Sequence, residues 1–420
     1  MKILLLFTSI LLFTNFVNAQ DIVRAKHVIE ELCAKKMHGR SPCFKGDKTA
    51  ALYIQDLFIK AGLSPISGNT YFQHFTYSTQ TFPKQMALTI NGKKLKPGVD
   101  FIIDPVSMSG KGKAQLLYLD STFFNQQSDP SLLNALANKA IVYDQKYYSK
   151  LNDLPLEWIQ KIYSAACIIE INHSKLTMSI GSKPLSIPIF KLGQTDLKTI
   201  QTGSCSFNLY AEWKENYTSQ NVVAYIKGSK QPDSFLVFTA HYDHLGQLGK
   251  KTYFPGANDN ASGIAMLNEL AQYYNDSTHR LPNSVVFIAF AGEEAGLIGS
   301  QYFTKHPLFD LKAIKFLINM DIVGTGDESI TVVNASQHLS QFNVLDSLNK
   351  KYRYVPAVVK RGAAANSDHY YFSQRGVPAF FIYTNGKQKA YHDVFDVPSN
   401  LPLSQFGSLF QLLIDFSKSF

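Results

Sequence analysis

The feature that most constrains the fold is a series of short apolar runs, each followed at once by an acid or a histidine. The series covers residues 235–321. Its runs are rich in β-branched and aromatic residues, as strands are, and the polar residues stand where each strand would end. In open α/β sheets, ligands bind outside the carboxyl ends of the strands. The pattern therefore predicts an α/β fold with a polar site at one edge of its sheet.

The first polar residues of the series could bind a metal ion through nitrogen and oxygen. His241 and Asp243 alternate at a strand end, so that they share one face. A neutral imidazole binds zinc, and a nearby carboxylate can hold its other ring nitrogen. Asp259 lies in a loop bounded by Gly256 and Gly263. Its carboxylate could bridge two cations with its two oxygens.

Three acids and a histidine further along the chain extend the candidate site. Glu293 and Glu294 follow an apolar run, and one could bind a metal ion while the other acts as a general base. A helix N-terminus, where glutamate is also favourable, is the alternative explanation of this pair. Asp321 ends the next run, where a buried carboxylate is costly unless it is bound or paired. His392 is the second expected nitrogen ligand, and Asp396 is its candidate partner.

Together these residues suit a pair of divalent ions. The proposed ligands are His241, Asp259, Glu294, Asp321 and His392. Two ions roughly 3.5–4 Å apart and bridged by Asp259 would each gain two further ligands. Nitrogen and oxygen ligands without thiolate favour zinc, with cobalt or manganese as possible replacements.

The sequence resembles the zinc aminopeptidases of the M28 metallopeptidase type. The matching residues are His241-Tyr-Asp243, the loop 256–263, Gly292-Glu-Glu294, Asn319-Met-Asp321, Ser367-Asp-His369 and Tyr391-His392. The resemblance covers residues 21–75 and 221–420, and the segment between them resembles the protease-associated insert of many relatives.

The resemblance implies two zinc ions per chain that share Asp259. One ion is expected at His241, Asp259 and Asp321. The other is expected at Asp259, Glu294 and His392.

The resemblance also implies residues for catalysis. Glu293 is expected to act as general base and then as general acid, and Asp243 to support His241. In some relatives a tyrosine near the Ser-Asp-His stretch steadies the oxyanion, but residues 362–366 contain no tyrosine. The candidates to replace it are Tyr370, Tyr371, Tyr383 and His369.

The implied activity is the removal of N-terminal residues from peptides or proteins. Dipeptidases and carboxypeptidases share the metal core, and only the resemblance favours an aminopeptidase. Two alternatives are a glutaminyl cyclase-like enzyme with a single zinc and a binding or receptor relative that has lost catalysis. The cyclase would not need the ligands of a second metal, and inactive relatives usually lack several ligands.

The predicted fold class is α/β, with a mixed, mostly parallel central sheet flanked by helices and an inserted smaller α/β domain. Residues 20–90 and 215–420 are predicted to form the peptidase domain, and residues 91–214 the insert, in which acids are sparse. Residues 221–227 and 235–240 are expected to pair as a β-hairpin across the polar turn 228–234.

The start of the chain predicts export. Residues 1–19 contain one lysine and a long apolar run and end in Val17-Asn-Ala19, as a secretory signal does, so that the mature chain would begin at Gln20. The run is too short for a membrane span, and we expect a periplasmic or secreted protein. In such a compartment Cys33 and Cys43 could form a disulfide.

The charge of the chain does not indicate a nucleic-acid partner. The net charge is +9, but the basic residues are scattered without a dense block. Oligomeric state leaves no trace in the sequence.

Overall fold

The structure is a computed structural model that describes residues 21–125, 130–181, 183–193 and 200–420. The predicted secretory signal 1–19 and the predicted start at Gln20 lie outside these residues. Among the described helices, none combines the length and the apolar character that a membrane crossing requires.

The two main sheets have eight strands each, and the larger of them contains more residues. The strands of the larger sheet are β1 (Phe72–Thr81), β10 (Glu212–Ile226), β11 (Gln231–His241), β14 (Asn283–Phe290), β15 (Ile314–Met320), β16 (Ser329–Val333), β17 (Val358–Lys360) and β18 (Ala379–Asn385). Their order is β1-β10-β14-β11-β15-β18-β16-β17. The pairs β14–β11, β11–β15, β15–β18 and β16–β17 are parallel. The predicted mixed, mostly parallel central sheet is confirmed.

The predicted hairpin between β10 and β11 was wrong. Strand β14 lies between them, antiparallel to β10 and parallel to β11. The reason is that every residue of β14 is buried, so this strand stabilises the sheet most in an interior position. The connection after Ile226 crosses the start of β14, where the Gly228 N–H donates to Ser284 Oγ at 2.9 Å.

Helices cover both faces of the larger sheet. On one face lie α1 (Ile22–Leu32), α2 (Gly46–Lys60), α7 (Ser262–Asn275), α9 (Leu339–Tyr352) and α11 (Phe406–Ser417), and on the other α8 (Ile298–Lys305) and α10 (His369–Gln374). The strands serve both layers because their side chains alternate. In β14, Phe287 packs in the first layer, whereas its neighbours Val286 and Ile288 pack in the second.

The smaller main sheet lies between β1 and β10 in the chain. Its strands are β2 (Met86–Ile90), β3 (Lys93–Lys94), β4 (Phe101–Ile103), β5 (Gly110–Leu119), β6 (Ala140–Asp144), β7 (Cys167–Ile171), β8 (Ile189–Leu192) and β9 (Ser204–Leu209). Its helices are α3 (Ser121–Asn125), α4 (Pro130–Ala135), α5 (Tyr148–Asn152) and α6 (Leu156–Ile162). This unit is the smaller α/β part of the predicted fold. Its first strand begins before residue 91, and the predicted domain bounds stay a prediction.

A short ribbon completes the strands. It pairs β12 (Gln247–Leu248) with β13 (Thr252–Tyr253), between β11 and α7.

The predicted disulfide between Cys33 and Cys43 was wrong, since all four cysteines are free. Cys33 ends α1 and packs in the core beneath the larger sheet. Cys43 follows a tight turn in which His38 and Arg40 have φ values of 49° and 51°, and it lines a cavity elsewhere with Ser41. This turn places the two thiols in different surroundings.

Candidate metal centre

The structure brings the five predicted ligands together at the carboxyl edge of the larger sheet. His241 is the last residue of β11, Glu294 follows β14, and Asp321 follows β15. These strands are adjacent and parallel, so their ends meet. Asp259 lies in the turn before α7, and His392 lies in the loop after β18.

Asp259 occupies the middle of the cluster, with one oxygen toward each histidine. His241 Nε2 lies 3.4 Å from Asp259 Oδ1 and 3.2 Å from Asp321 Oδ1. His392 Nε2 lies 3.1 Å from Asp259 Oδ2 and 3.2 Å from Glu294 Oε2. For a tetrahedral zinc ion with bonds of 2.0–2.1 Å, neighbouring ligand atoms stand about 3.3–3.4 Å apart. The donor separations therefore fit one ion on each side of Asp259.

The hydrogen bonds of the two rings point to the same conclusion. His241 Nδ1 lies 3.2 Å from the carbonyl oxygen of Asp243, and His392 Nδ1 lies 3.0 Å from that of Met178. A carbonyl oxygen can only accept, so each Nδ1 carries a proton and donates it. In a neutral ring the Nε2 lone pair then faces two carboxylate oxygens, which is favourable only with a cation between them.

Charge governs the protonation of this cluster. Burial alone would lower the pKa of His392, but the carboxylates of Glu294 and Asp259 raise it to about 11. Burial, reinforced by the carboxylates of Asp321 and Glu294, holds the pKa of Glu293 well above its usual range. The cluster thus attracts positive charge, as a cation site must.

His244 is a further metal-binding candidate that the sequence analysis did not assign. Its Nδ1 lies 2.7 Å from Glu294 Oε1, and the side chain is fully buried. His244, Asp259 and Glu294 form one potential ligand group, and His241, Asp259 and Asp321 form another. The only hint in the sequence is that His244 comes directly after His241-Tyr-Asp243.

Asp243 connects the first histidine with the glutamate pair. Its carboxylate accepts the backbone N–H groups of Glu293 and Glu294 at 3.2 and 3.3 Å. Its Oδ1 lies 3.7 Å from His241 Nδ1, farther than its own carbonyl oxygen. Asp243 therefore holds the turn that presents both glutamates.

The predicted pairing of Asp396 with His392 was wrong. Asp396 Oδ1 accepts from the N–H of Asn258 at 2.9 Å, and its Oδ2 accepts from that of Asp259 at 3.0 Å. Burial raises the pKa of Asp396 to about 6. Two free amides ahead of α7 attract this carboxylate more strongly than an imidazole whose Nδ1 already has a partner. The Asp259–Asn260 peptide is cis.

Arg40 also supports the loop that carries Asp259. Its fully buried guanidinium donates to the carbonyl oxygens of Tyr242 at 2.6 Å, Pro255 at 2.5 Å and Gly256 at 2.8 Å. It thereby joins the end of β11 to the loop that carries Asp259. Sequence reasoning missed this role because Arg40 lies in a turn far from both segments in the chain.

A buried relay of hydrogen bonds orients Asp321. Thr239 Oγ1 donates to Asn319 Oδ1 at 2.6 Å, and Asn319 Nδ2 donates to Ser367 Oγ at 2.8 Å. Ser367 Oγ donates to Asp321 Oδ2 at 3.1 Å. Ser367 thus supports the carboxylate oxygen that does not face His241.

Of the expected oxyanion donors, two have partners elsewhere. The Tyr371 hydroxyl accepts from Gln301 at 2.8 Å, and the Tyr383 hydroxyl accepts from Arg361 at 3.1 Å. Tyr391, which was not among the expected donors, lies beside the site.

The Tyr391 ring stacks on His392 at a centroid distance of 3.9 Å and lines a cavity with Asn258 and Asp259. Partial burial and the carboxylates of Asp259 and Glu294 raise the pKa of Tyr391. Its phenol is therefore a candidate hydrogen-bond donor at the edge of the cluster.

Comparison with protein families identifies the part of the chain that carries this site. The model of peptidase family M28 matches residues 221–417. We call these residues the M28 segment. The M28 segment contains all five expected ligands, together with Asp243 and Glu293.

Two relatives match stretches of different length. Aminopeptidase YwaD of Bacillus subtilis is 27% identical over 268 residues, which cover 61% of this chain and 55% of that protein. A probable zinc metalloprotease of Pyricularia oryzae is 39% identical over 111 residues, which cover 26% of this chain and 22% of that protein. The chain thus spans about half or less of these two relatives.

Solved structures share the fold over nearly the whole chain. The zinc aminopeptidase BSAP of Bacillus subtilis aligns over 94% of both chains, with a TM-score of 0.67 and 19% identity. A peptidase M28 precursor from Shewanella amazonensis covers 94% of this chain and 93% of its own, with a TM-score of 0.68 and 17% identity. The M28 segment and the smaller sheet therefore occur together in a known fold.

Proposed function

We propose that the protein is an exported aminopeptidase that holds two zinc ions per chain. The observation that carries the proposal is the position of Asp259, whose two oxygens face Nε2 of His241 and Nε2 of His392. Each Nδ1 donates to a backbone carbonyl, so both lone pairs point into the carboxylate cluster. Two separate cations, one on each side of Asp259, satisfy this arrangement.

The match of the M28 segment to the model of peptidase family M28 supports peptide hydrolysis. Two relatives of this chain are named as an aminopeptidase and a probable zinc metalloprotease. We therefore propose peptide or protein N-termini as the substrate class. The apolar start of the chain, residues 1–19, supports export to the periplasm or the medium.

The chain supplies the proton transfers of the reaction. When bound, zinc would polarise the scissile carbonyl and lower the pKa of water. Glu293 takes a proton from the attacking water and delivers it to the leaving amine. Asp243 fixes this glutamate by accepting its backbone N–H. The Tyr391 phenol donates a hydrogen bond to the substrate oxygen as negative charge develops on it.

The replacement Glu293→Gln tests the proposal directly. It keeps the size of the side chain and removes the base, so kcat on an aminoacyl peptide should fall about 100- to 10,000-fold. Zinc content should stay near two ions per chain by elemental analysis. Glu157→Gln, on the exposed surface of α6, is the matched control.

Other results would favour a different function. Turnover that survives Glu293→Gln would contradict the role of this residue. One tightly bound zinc, with cyclisation of N-terminal glutamine, would favour a glutaminyl cyclase. Intact zinc binding without turnover of any aminoacyl or carboxy-terminal peptide would favour a binding relative. For export, N-terminal sequencing of the protein recovered outside the cytoplasm should begin at Gln20.

A further inference from the structure

A loop of the smaller sheet unit reaches the metal centre. It connects β7 to β8, and it contacts the loop after β18 that carries His392. The two loops are far apart in the chain, at residues 172–181 and 386–397. Lys175 and Met178 make the contacts that matter here.

Met178 and His392 bind each other through two hydrogen bonds. The Met178 N–H donates to the His392 carbonyl oxygen at 2.9 Å. The His392 Nδ1–H donates to the Met178 carbonyl oxygen at 3.0 Å. The first bond fixes the backbone of His392, and the second fixes the plane and tautomer of its ring. Met178 is itself buried in the core of the smaller sheet, so the ring is anchored to that core.

The backbone of His392 needs such support. Its φ is 54°, in the left-handed region that residues other than glycine rarely adopt. A residue in this region persists where surrounding contacts hold it. The contacts with Met178 supply part of that restraint.

Lys175 holds the same loop at three further points. Its ammonium donates to the carbonyl oxygens of Lys389 at 2.7 Å and Tyr391 at 3.0 Å, and it lies 2.5 Å from Asp393 Oδ2. Asp393 is only 5% exposed. Three donors thus meet three acceptors, on both sides of His392.

We propose that the smaller sheet unit helps to form the metal centre, with Lys175 and Met178 as positioning residues. They keep His392 Nε2 directed at Asp259 and Glu294, so the second metal ion depends on a segment outside the M28 match. This inference rests on the proposed function. It differs from a role in which the smaller unit only walls the substrate cleft, because a wall would not affect metal affinity.

Lys175→Met tests the inference in the full-length protein. It removes the three donors and keeps most of the side chain. We expect the zinc ion at His392 to lose about 10- to 100-fold in affinity, as for outer partners of metal ligands. The other ion, at His241, should keep its affinity. Competition with a chromogenic chelator measures both, and Lys175→Arg should restore most of the loss.

A matched control separates this effect from a general loss of charge. Lys146 is in the same unit, and its ammonium lies 3.6 Å from Asp144 Oδ2. Lys146→Met should bind both ions as the wild type does. Met178→Pro, which lacks the N–H, should weaken the same ion as Lys175→Met, whereas Met178→Leu, which keeps both backbone groups, should not.

A second measurement distinguishes failure of the inference from failure of the proposed function. In metal-free protein, the amides of residues 389–393 should exchange hydrogen faster in Lys175→Met than in the wild type. If the wild type binds no zinc, the proposed function fails, while the exchange result still tests the contact. If the wild type binds two ions and Lys175→Met keeps both the affinity and the protection, the inference is overturned.

Discussion

Replacing Ser367 by alanine should weaken zinc binding at the His241 side of the site. Ser367 Oγ donates to Asp321 Oδ2 at 3.1 Å and accepts from Asn319 Nδ2 at 2.8 Å. All three side chains are buried, so water cannot replace the lost bonds. The substitution leaves a carboxylate without a donor and an amide without an acceptor.

The structure also bounds the size of this effect. A hydrogen bond to a charged group contributes about 1.5–3 kcal/mol, and the 3.1 Å separation to Asp321 is long for a charge-assisted bond. We therefore expect the lower half of this range, about 1.5–2 kcal/mol. At about 1.4 kcal/mol per factor of ten, zinc affinity should fall roughly 10- to 30-fold.

Chelator competition with purified protein measures this loss. The second proposed ion, at Glu294 and His392, should keep its affinity. Thr239→Val is the graded control, because Thr239 is two hydrogen bonds farther than Ser367 from the Asp321 carboxylate. Its replacement should therefore lower zinc affinity by a smaller factor. Wild-type affinity for both ions in Ser367→Ala, in a folded protein, would refute the view that the relay orients Asp321.

Two further predictions concern the stability of the folded chain in acid and the role of the Tyr391 hydroxyl in the reaction. Burial lowers the pKa of His369 to about 4, so as the pH falls below about 6.5 the unfolded state takes up a proton before the folded state does. The free energy of unfolding therefore falls between pH 6.5 and 4, by about 2 kcal/mol at pH 5. In urea titrations of metal-free protein, His369→Phe should abolish this loss. The same replacement at the half-buried His279 should leave the loss in place. Tyr391→Phe should lower kcat about tenfold or more at unchanged zinc content, and an unchanged kcat would remove Tyr391 from the reaction.

The order of residues along the chain was enough to predict the centre of the site. His241 ends an apolar strand, Asp321 and the glutamate pair each follow one, and parallel neighbouring strands end at one edge of a sheet. Any fold that pairs these strands in parallel must therefore bring the side chains together. This is why the five ligands could be named from local pattern together with the family resemblance.

Contacts between distant segments could not be predicted in the same way. Strand periodicity shows which face a residue occupies but not which strand lies beside it, so the β10–β11 hairpin was expected although β14 separates them. Asp396 was assigned to His392 because the two are close in the chain, yet it binds the amides of Asn258 and Asp259.

The chain by itself determined which side chains can reach the edge of the sheet, because strand alternation and strand ends are local properties. Only the tertiary structure decided what holds those side chains in place. Met178 reaches His392 across 214 residues, and Arg40 reaches Tyr242 across 202. Such contacts depend on how segments that are distant in the chain pack together, and no local pattern of residues records that packing.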